Sequence, residues 1–125
     1  MKKIINTPNA PAPIGPYSQA VLSGNMLFVS GQVAFNPATG DLVMDTLEAE
    51  TTQVMQNLKA VLTEGGATFD NVVMTTIFLS NMDYFATVNS IYGTYFTADF
   101  PARATVAVKT LPKNVNVEIA VIAVI

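Results

Sequence analysis

Residues 45–79 read DTLEAETTQVMQNLKAVLTEGGATFDNVVMTTIFL, and the change of rhythm within them decides the fold class. Leu47, Thr51, Val54, Leu58, Val61 and Leu62 recur at three- and four-residue spacing, which lines one face of an α-helix. Asp45 with Glu48 three places on resembles a capping box at the start, and Gly65-Gly66 ends the helix. Val72–Leu79 then switches to a β-branched run, the composition of a strand.

Outward from this helix–strand pair the pattern repeats. Downstream, Asp83 can cap a second helix that carries Phe85, Val88, Tyr92 and Phe96 on one face. Two final strands, Thr105–Lys109 and Val115–Val124, flank Leu111-Pro112. Upstream, Asn36 to Gly40 is a turn, and residues 17–22 and 26–33 form a β-hairpin across Ser23-Gly24-Asn25. Residues 7–16 hold four prolines and a glycine, a stiff arm that lies on a surface or lines a cleft. The order ββ-α-β-α-ββ predicts one α+β domain over residues 1–125, with both helices on one sheet face. The other face is left apolar, and a partner subunit is the natural cover.

Composition points the same way. Half of the 125 residues are hydrophobic and only 12% are charged, about half the usual share. Burying surface in an oligomer resolves that shortage; a coat of Thr, Asn, Ser and Gln on a monomer is the bland alternative. The net charge is −3, and the basic residues Lys2, Lys3, Lys59, Arg103, Lys109 and Lys113 form no stripe, so nucleic acid is not an expected partner. With no Cys and no His, thiolate nucleophiles and the commonest general base and metal ligands are gone; no metal or cofactor is expected. The start lacks a signal-peptide core, and Val115–Ile125 is too short for a membrane span, so the expected compartment is the cytoplasm.

Glu118 is the most informative residue. It interrupts the apolar run VNVEIAVIAVI, where an acid is costly without a partner or a polar pocket. The alternative is a wet strand end. Arg103, the only arginine, follows Phe100-Pro101-Ala102 and can hold a carboxylate with two N–H groups. It could equally be a surface arginine or pair with Glu118. Tyr17 offers a hydroxyl and a ring wall, or simply packs. Gly31, in Ser30-Gly31-Gln32, would let a ligand approach the backbone, and Ser30 has no evident activator. Asn89 on the second helix reads by itself as solvated. Chemistry that needs little acid–base help survives these absences. Hydrolysis of a protonated imine is such a reaction, because water needs only aiming and one proton acceptor.

Ile14-Gly-Pro-Tyr-Ser-Gln-Ala20, Ser30-Gly31-Gln32, Asn57-Leu58, Phe85-Ala-Thr-Val-Asn89, Pro101-Ala-Arg103, Leu111-Pro112 and Val117-Glu118-Ile119 together resemble the Rid (reactive intermediate deaminase, YjgF-type) family, in its RidA branch. The resemblance spans essentially the whole chain. It implies a chorismate-mutase-like α+β fold, a mixed sheet with two helices on one face, and a homotrimer with sites between subunits. It further implies hydrolysis of 2-aminoacrylate and 2-iminobutanoate to 2-oxo acids and ammonia. On that resemblance Arg103 holds the substrate carboxylate and Glu118 activates water. Tyr17, Ser30, Gly31, Asn89 and the backbone of Thr105 line the pocket. Thr105 stands where many relatives have Cys, and Ala120 where a second acid often follows. The alternatives are a non-catalytic binder of 2-oxo acids that serves as a regulator or chaperone-like protein, and, with less support, an RNA-directed inhibitor of translation or ribonuclease.

Overall fold

The computed structural model describes every residue from Met1 to Ile125. The elements are β1 (Lys2–Ile5), β2 (Ala20–Ser23), β3 (Met26–Gln32), α1 (Leu47–Glu64), β4 (Val72–Leu79), α2 (Phe85–Gly93), β5 (Ala102–Ala107) and β6 (Val117–Val124). All six strands join one sheet in the order β1-β2-β3-β6-β4-β5. Only β4 and β5 run parallel, which fits the crossover through α2; the other neighbours are antiparallel. This is the mixed sheet with two helices on one face that the sequence led us to expect.

The amphipathic stripe of α1 explains its place. Val54, Met55, Leu58, Val61 and Leu62 are all buried, and they cover Leu27 and Val29 of β3, Ile77 and Leu79 of β4, and Ile119, Val121 and Ala123 of β6 in one core cluster. Two-residue alternation sends the intervening side chains to the opposite face. There Phe28, Met74, Thr76, Ala120 and Ile122 line a shallow apolar hollow with no helix over it. Phe28 and Val106 remain 41% and 45% exposed. No helix of the chain is long and apolar enough to cross a membrane.

Several boundaries differ from the sequence reading. Strand β1 was not expected; it is an edge strand on which only Ile5 is buried, so it carries no alternating pattern. The hairpin strand β2 starts at Ala20 rather than Tyr17, because Gln19 is bound to the proline-rich arm. Gln19 receives the Thr7 N–H and donates to the carbonyls of Thr7, Ala10 and Pro11. The cap of α1 is Thr46, whose hydroxyl accepts the Ala49 N–H at 3.0 Å, not Asp45. Asp83 caps nothing; Asn81 accepts the Asp83 N–H at 2.8 Å and opens a 3-10 turn that runs into α2. Strand β5 begins at Ala102, so Arg103 lies inside the strand rather than ahead of it. Strand β6 begins at Val117, two residues later than expected.

Candidate active site

The ladder between β3 and β6 is irregular between Val29 and Gln32: Val29 faces Val121, and Gln32 faces Ile119. Three steps on β3 oppose two on β6, so Ser30-Gly31 bulges, a device that re-aims local groups. The bulge is tied to the arm. Ser30 donates its N–H to the Gln19 carbonyl at 2.9 Å and its hydroxyl to the Ser18 carbonyl at 2.6 Å. That hydroxyl is therefore committed to the backbone, which is not the state of an activated nucleophile. Against the bulge stands Glu118. A Cβ built on Gly31 would come within 2.5 Å of its Oε2, so any side chain at position 31 would force the carboxylate to move.

Glu118, Tyr17, Ser30, Gly31, Pro112 and Lys113 line the largest cavity, of about 560 Å³, with Pro11, Ile14, Val33 and Phe35 among its apolar walls. Burial pushes the Glu118 carboxyl above its ordinary pKa. A carboxylate held this way is a better proton acceptor than one in water. Sequence reasoning missed Lys113 and Pro112 here. Their signal was the turn before β6, where Lys113 and Asn114 both take positive φ, 60° and 55°.

A second hollow, of about 430 Å³, is lined by Asn89, Tyr92, Gly93, Phe100, Pro101 and Arg103. Arg103 donates Nη1–H to Asn89 Oδ1 at 2.7 Å. Its guanidinium also lies 5.5 Å from the Phe85 ring centre and 5.2 Å from that of Tyr92. Two rings and one amide thus hold the fork while leaving it exposed, with further N–H groups free for an anion. Tyr92 is itself fixed by its hydroxyl bond to Thr75 Oγ1 at 3.0 Å; burial raises its pKa, against the Thr75 bond and the nearby Arg103 charge. Asn89, solvated on its helix spacing alone but a pocket residue on the family resemblance, is hydrogen-bonded to Arg103 and orients it. Thr105 is two places further along β5, and its hydroxyl is buried without a partner.

The structure therefore brings the expected site residues together as two sets, not one. Arg103 pairs with Thr75 of β4, on the helix-covered face, whereas Glu118 pairs with Phe78, on the open face. The Arg103–Glu118 ion pair considered from sequence does not form within the chain; Asn89 takes the place of the acid. Two strands across and three residues along separate the pair, about 14 Å between Cα atoms. Within one protomer the guanidinium and the carboxylate line different hollows.

A sheet of this order with a bulge beside a half-buried acid defines a class, and comparison with known proteins names it. The family model described as Endoribonuclease L-PSP matches residues 7–125. The chain belongs to this family, the Rid or YjgF-type proteins. It is 47% identical to a mouse protein named 2-iminobutanoate/2-iminopropanoate deaminase, over 99% of this chain and 92% of that one. It is 50% identical to protein DfrA of Myxococcus xanthus, over 98% and 95% of the two chains. The crystal structure of a conserved Rid family protein of Yersinia pestis superposes with a TM-score of 0.97 at 50% identity, covering all of both chains.

Proposed function

We propose that this protein is a hydrolytic deaminase of small 2-imino acids, among them the imine and enamine forms of 2-iminobutanoate and 2-aminoacrylate, working as a cytoplasmic homotrimer. The observation that carries the reading is the split site: a free guanidinium on one sheet face and an acid in an apolar-walled cavity on the other. Each half supplies what the other lacks. The open apolar face, with Phe28, Met74 and Ile122, is the surface that neighbouring copies would cover. A ring of identical contacts lets the Arg103 set of one protomer meet the Glu118 set of the next. The relative named as a deaminase supports the activity.

The chemistry follows from the two sets. Arg103 binds the substrate carboxylate, held at its angle by Asn89. Water stands beside Glu118, which takes its proton as the oxygen attacks the iminium carbon. The resulting tetrahedral carbinolamine receives that proton on nitrogen, and the C–N bond breaks as the hydroxyl oxygen forms the carbonyl and its proton passes, through Glu118, to the departing ammonia. The 2-oxo acid and an ammonium ion leave, and Glu118 is again a carboxylate. The apolar walls of Pro11, Ile14 and Phe35 suit a short alkyl side chain.

An RNA-directed role lacks an electrostatic footprint, since the chain carries a net charge of −3 and no basic stripe. Non-catalytic capture of a 2-oxo acid would use the same cleft but leave imines to decay at the spontaneous rate. The test is a coupled assay in which a threonine dehydratase generates the imine. Loss of the imine faster than background supports the reading, and loss at the background rate refutes it.

A further inference from the structure

Glu50 is a second carboxylate that the proposed chemistry does not use, and it is fully buried in α1. Its Oε2 accepts the N–H of Asn116 at 2.8 Å and that of Val117 at 3.3 Å, and its Oε1 accepts the Asn116 side-chain amide at 2.9 Å. All its bonds thus go to the two residues immediately before Glu118. Ser80, just after β4, closes the clasp from the other side. It donates its N–H to the Asn116 carbonyl at 3.0 Å and its hydroxyl to Asn116 Oδ1 at 3.1 Å.

A buried acid is a costly choice for a mere space-filler, because its charge must leave water. Here it substitutes for a ladder partner, accepting two successive strand N–H groups where β6 enters the sheet. The entry point matters. A one-residue slip would send Glu118 to the helix face. The carboxylate stands close to the bulge, with Glu118 Oε2 in the space a Gly31 side chain would take.

We propose that Glu50 is a positioning residue for Glu118: by clasping Asn116 and Val117 it fixes where the Glu118 carboxylate stands against the Gly31 bulge. This rests on Glu118 acting as the proton acceptor. Glu50 never touches substrate; it acts through the strand.

The test compares Glu50→Gln, Asn116→Ala and the double variant Glu50→Gln/Asn116→Asp in the coupled imine assay, with circular dichroism to measure the folded fraction. The Glu50→Gln change turns an NH₂ group toward the Asn116 side-chain NH₂ and breaks that contact of the clasp, while the glutamine oxygen can still accept the two backbone N–H groups; adding Asn116→Asp restores an acceptor opposite the NH₂ and re-forms the contact. Glu50→Gln and Asn116→Ala are expected to lower kcat about tenfold per folded molecule with KM within about twofold. The double variant should recover most of the loss. Wild-type kcat in the folded fraction of either single variant, equal changes in kcat and KM, or no rescue would overturn the proposal. Should Glu50→Gln fail to fold, Asn116→Ala carries the same test.

A wild-type protein without turnover would refute the deaminase reading instead. Positioning is then read by NMR titration of the Glu118 carboxyl in the wild type and in Asn116→Ala, which loosens the clasp and leaves every charge in place. Tyr17 and Lys113, the other titratable groups lining its cavity, are unchanged between the two proteins. A Glu118 pKa that falls toward the ordinary carboxylate range in the variant supports the clasp; an unchanged one contradicts it.

Discussion

The two halves of the site are built on opposite principles. Arg103 is exposed and held by side chains alone: one amide, Asn89, and two rings, Phe85 and Tyr92. Glu118 is half-buried and held by backbone: the Ser30-Gly31 bulge, the arm clamped by Gln19 and the start of β6. The difference follows from charge chemistry. A guanidinium that binds an incoming anion must stay accessible, and aromatic faces orient it at little desolvation cost. A carboxylate that takes a proton gains from burial, which raises its basicity, and an immobile backbone can hold it where water is scarce. One protomer keeps these environments apart on two faces of one sheet, and on the proposed reading a second copy completes the site.

The contrast can be broken from either side. Arg103→Ala should leave the fold intact, since the side chain is exposed, and lower kcat/KM by about a thousandfold in the coupled imine assay. Glu118→Gln should be nearly as damaging, about 10²- to 10³-fold, but in kcat with KM little changed, because it removes the proton acceptor and not the anion site. Gly31→Ala should behave as a milder Glu118 variant, about a hundredfold down in kcat, because its methyl group displaces the carboxylate. Asn89→Ala should raise KM with a loss of about tenfold in kcat/KM, since the two rings still hold Arg103.

The pH dependence sharpens the same contrast. Burial raises the Glu118 pKa, so the carboxylate needed as base is lost as pH falls through a value above the ordinary range. The acid limb of kcat should lie above that of a free carboxylate. Stability runs with the opposite sign. Between the unfolded and the folded pKa the unfolded chain has already released this proton, so rising pH weakens folding across that window. Glu118→Gln should remove both effects, as pH–rate and pH–melting profiles would reveal.

How much of this was legible in the sequence depended on whether the signal was local. Strand β4 announces itself by its β-branched composition and the buried stripe of α1 by its period, because one face of each meets the core. Strand β1 does not, since Lys2 to Ile4 are exposed and only pairing with β2 makes them a strand. Glu118 was visible as an acid in an apolar run. Glu50 was not: on an amphipathic helix its side chain looks like any solvated glutamate, and only the tertiary fold closes it against Asn116. Asn89 was placed at the pocket by the family resemblance alone, and its bond to Arg103 shows only in the tertiary fold. Sequence named the chemical groups and missed the groups that orient them, because orientation here comes from contacts 14 to 67 residues apart.

The central claim is that each working site draws Arg103 and Glu118 from different protomers. Co-expressing Arg103→Ala and Glu118→Gln chains with different tags, then assaying the purified mixed oligomers for imine hydrolysis, tests it directly. In a cyclic trimer every mixed assembly contains one junction of three with both groups intact, so the purified mixed oligomers should show about a third of the wild-type activity. Mixed oligomers no more active than either variant alone would contradict the account, because each protomer would then need both of its own residues.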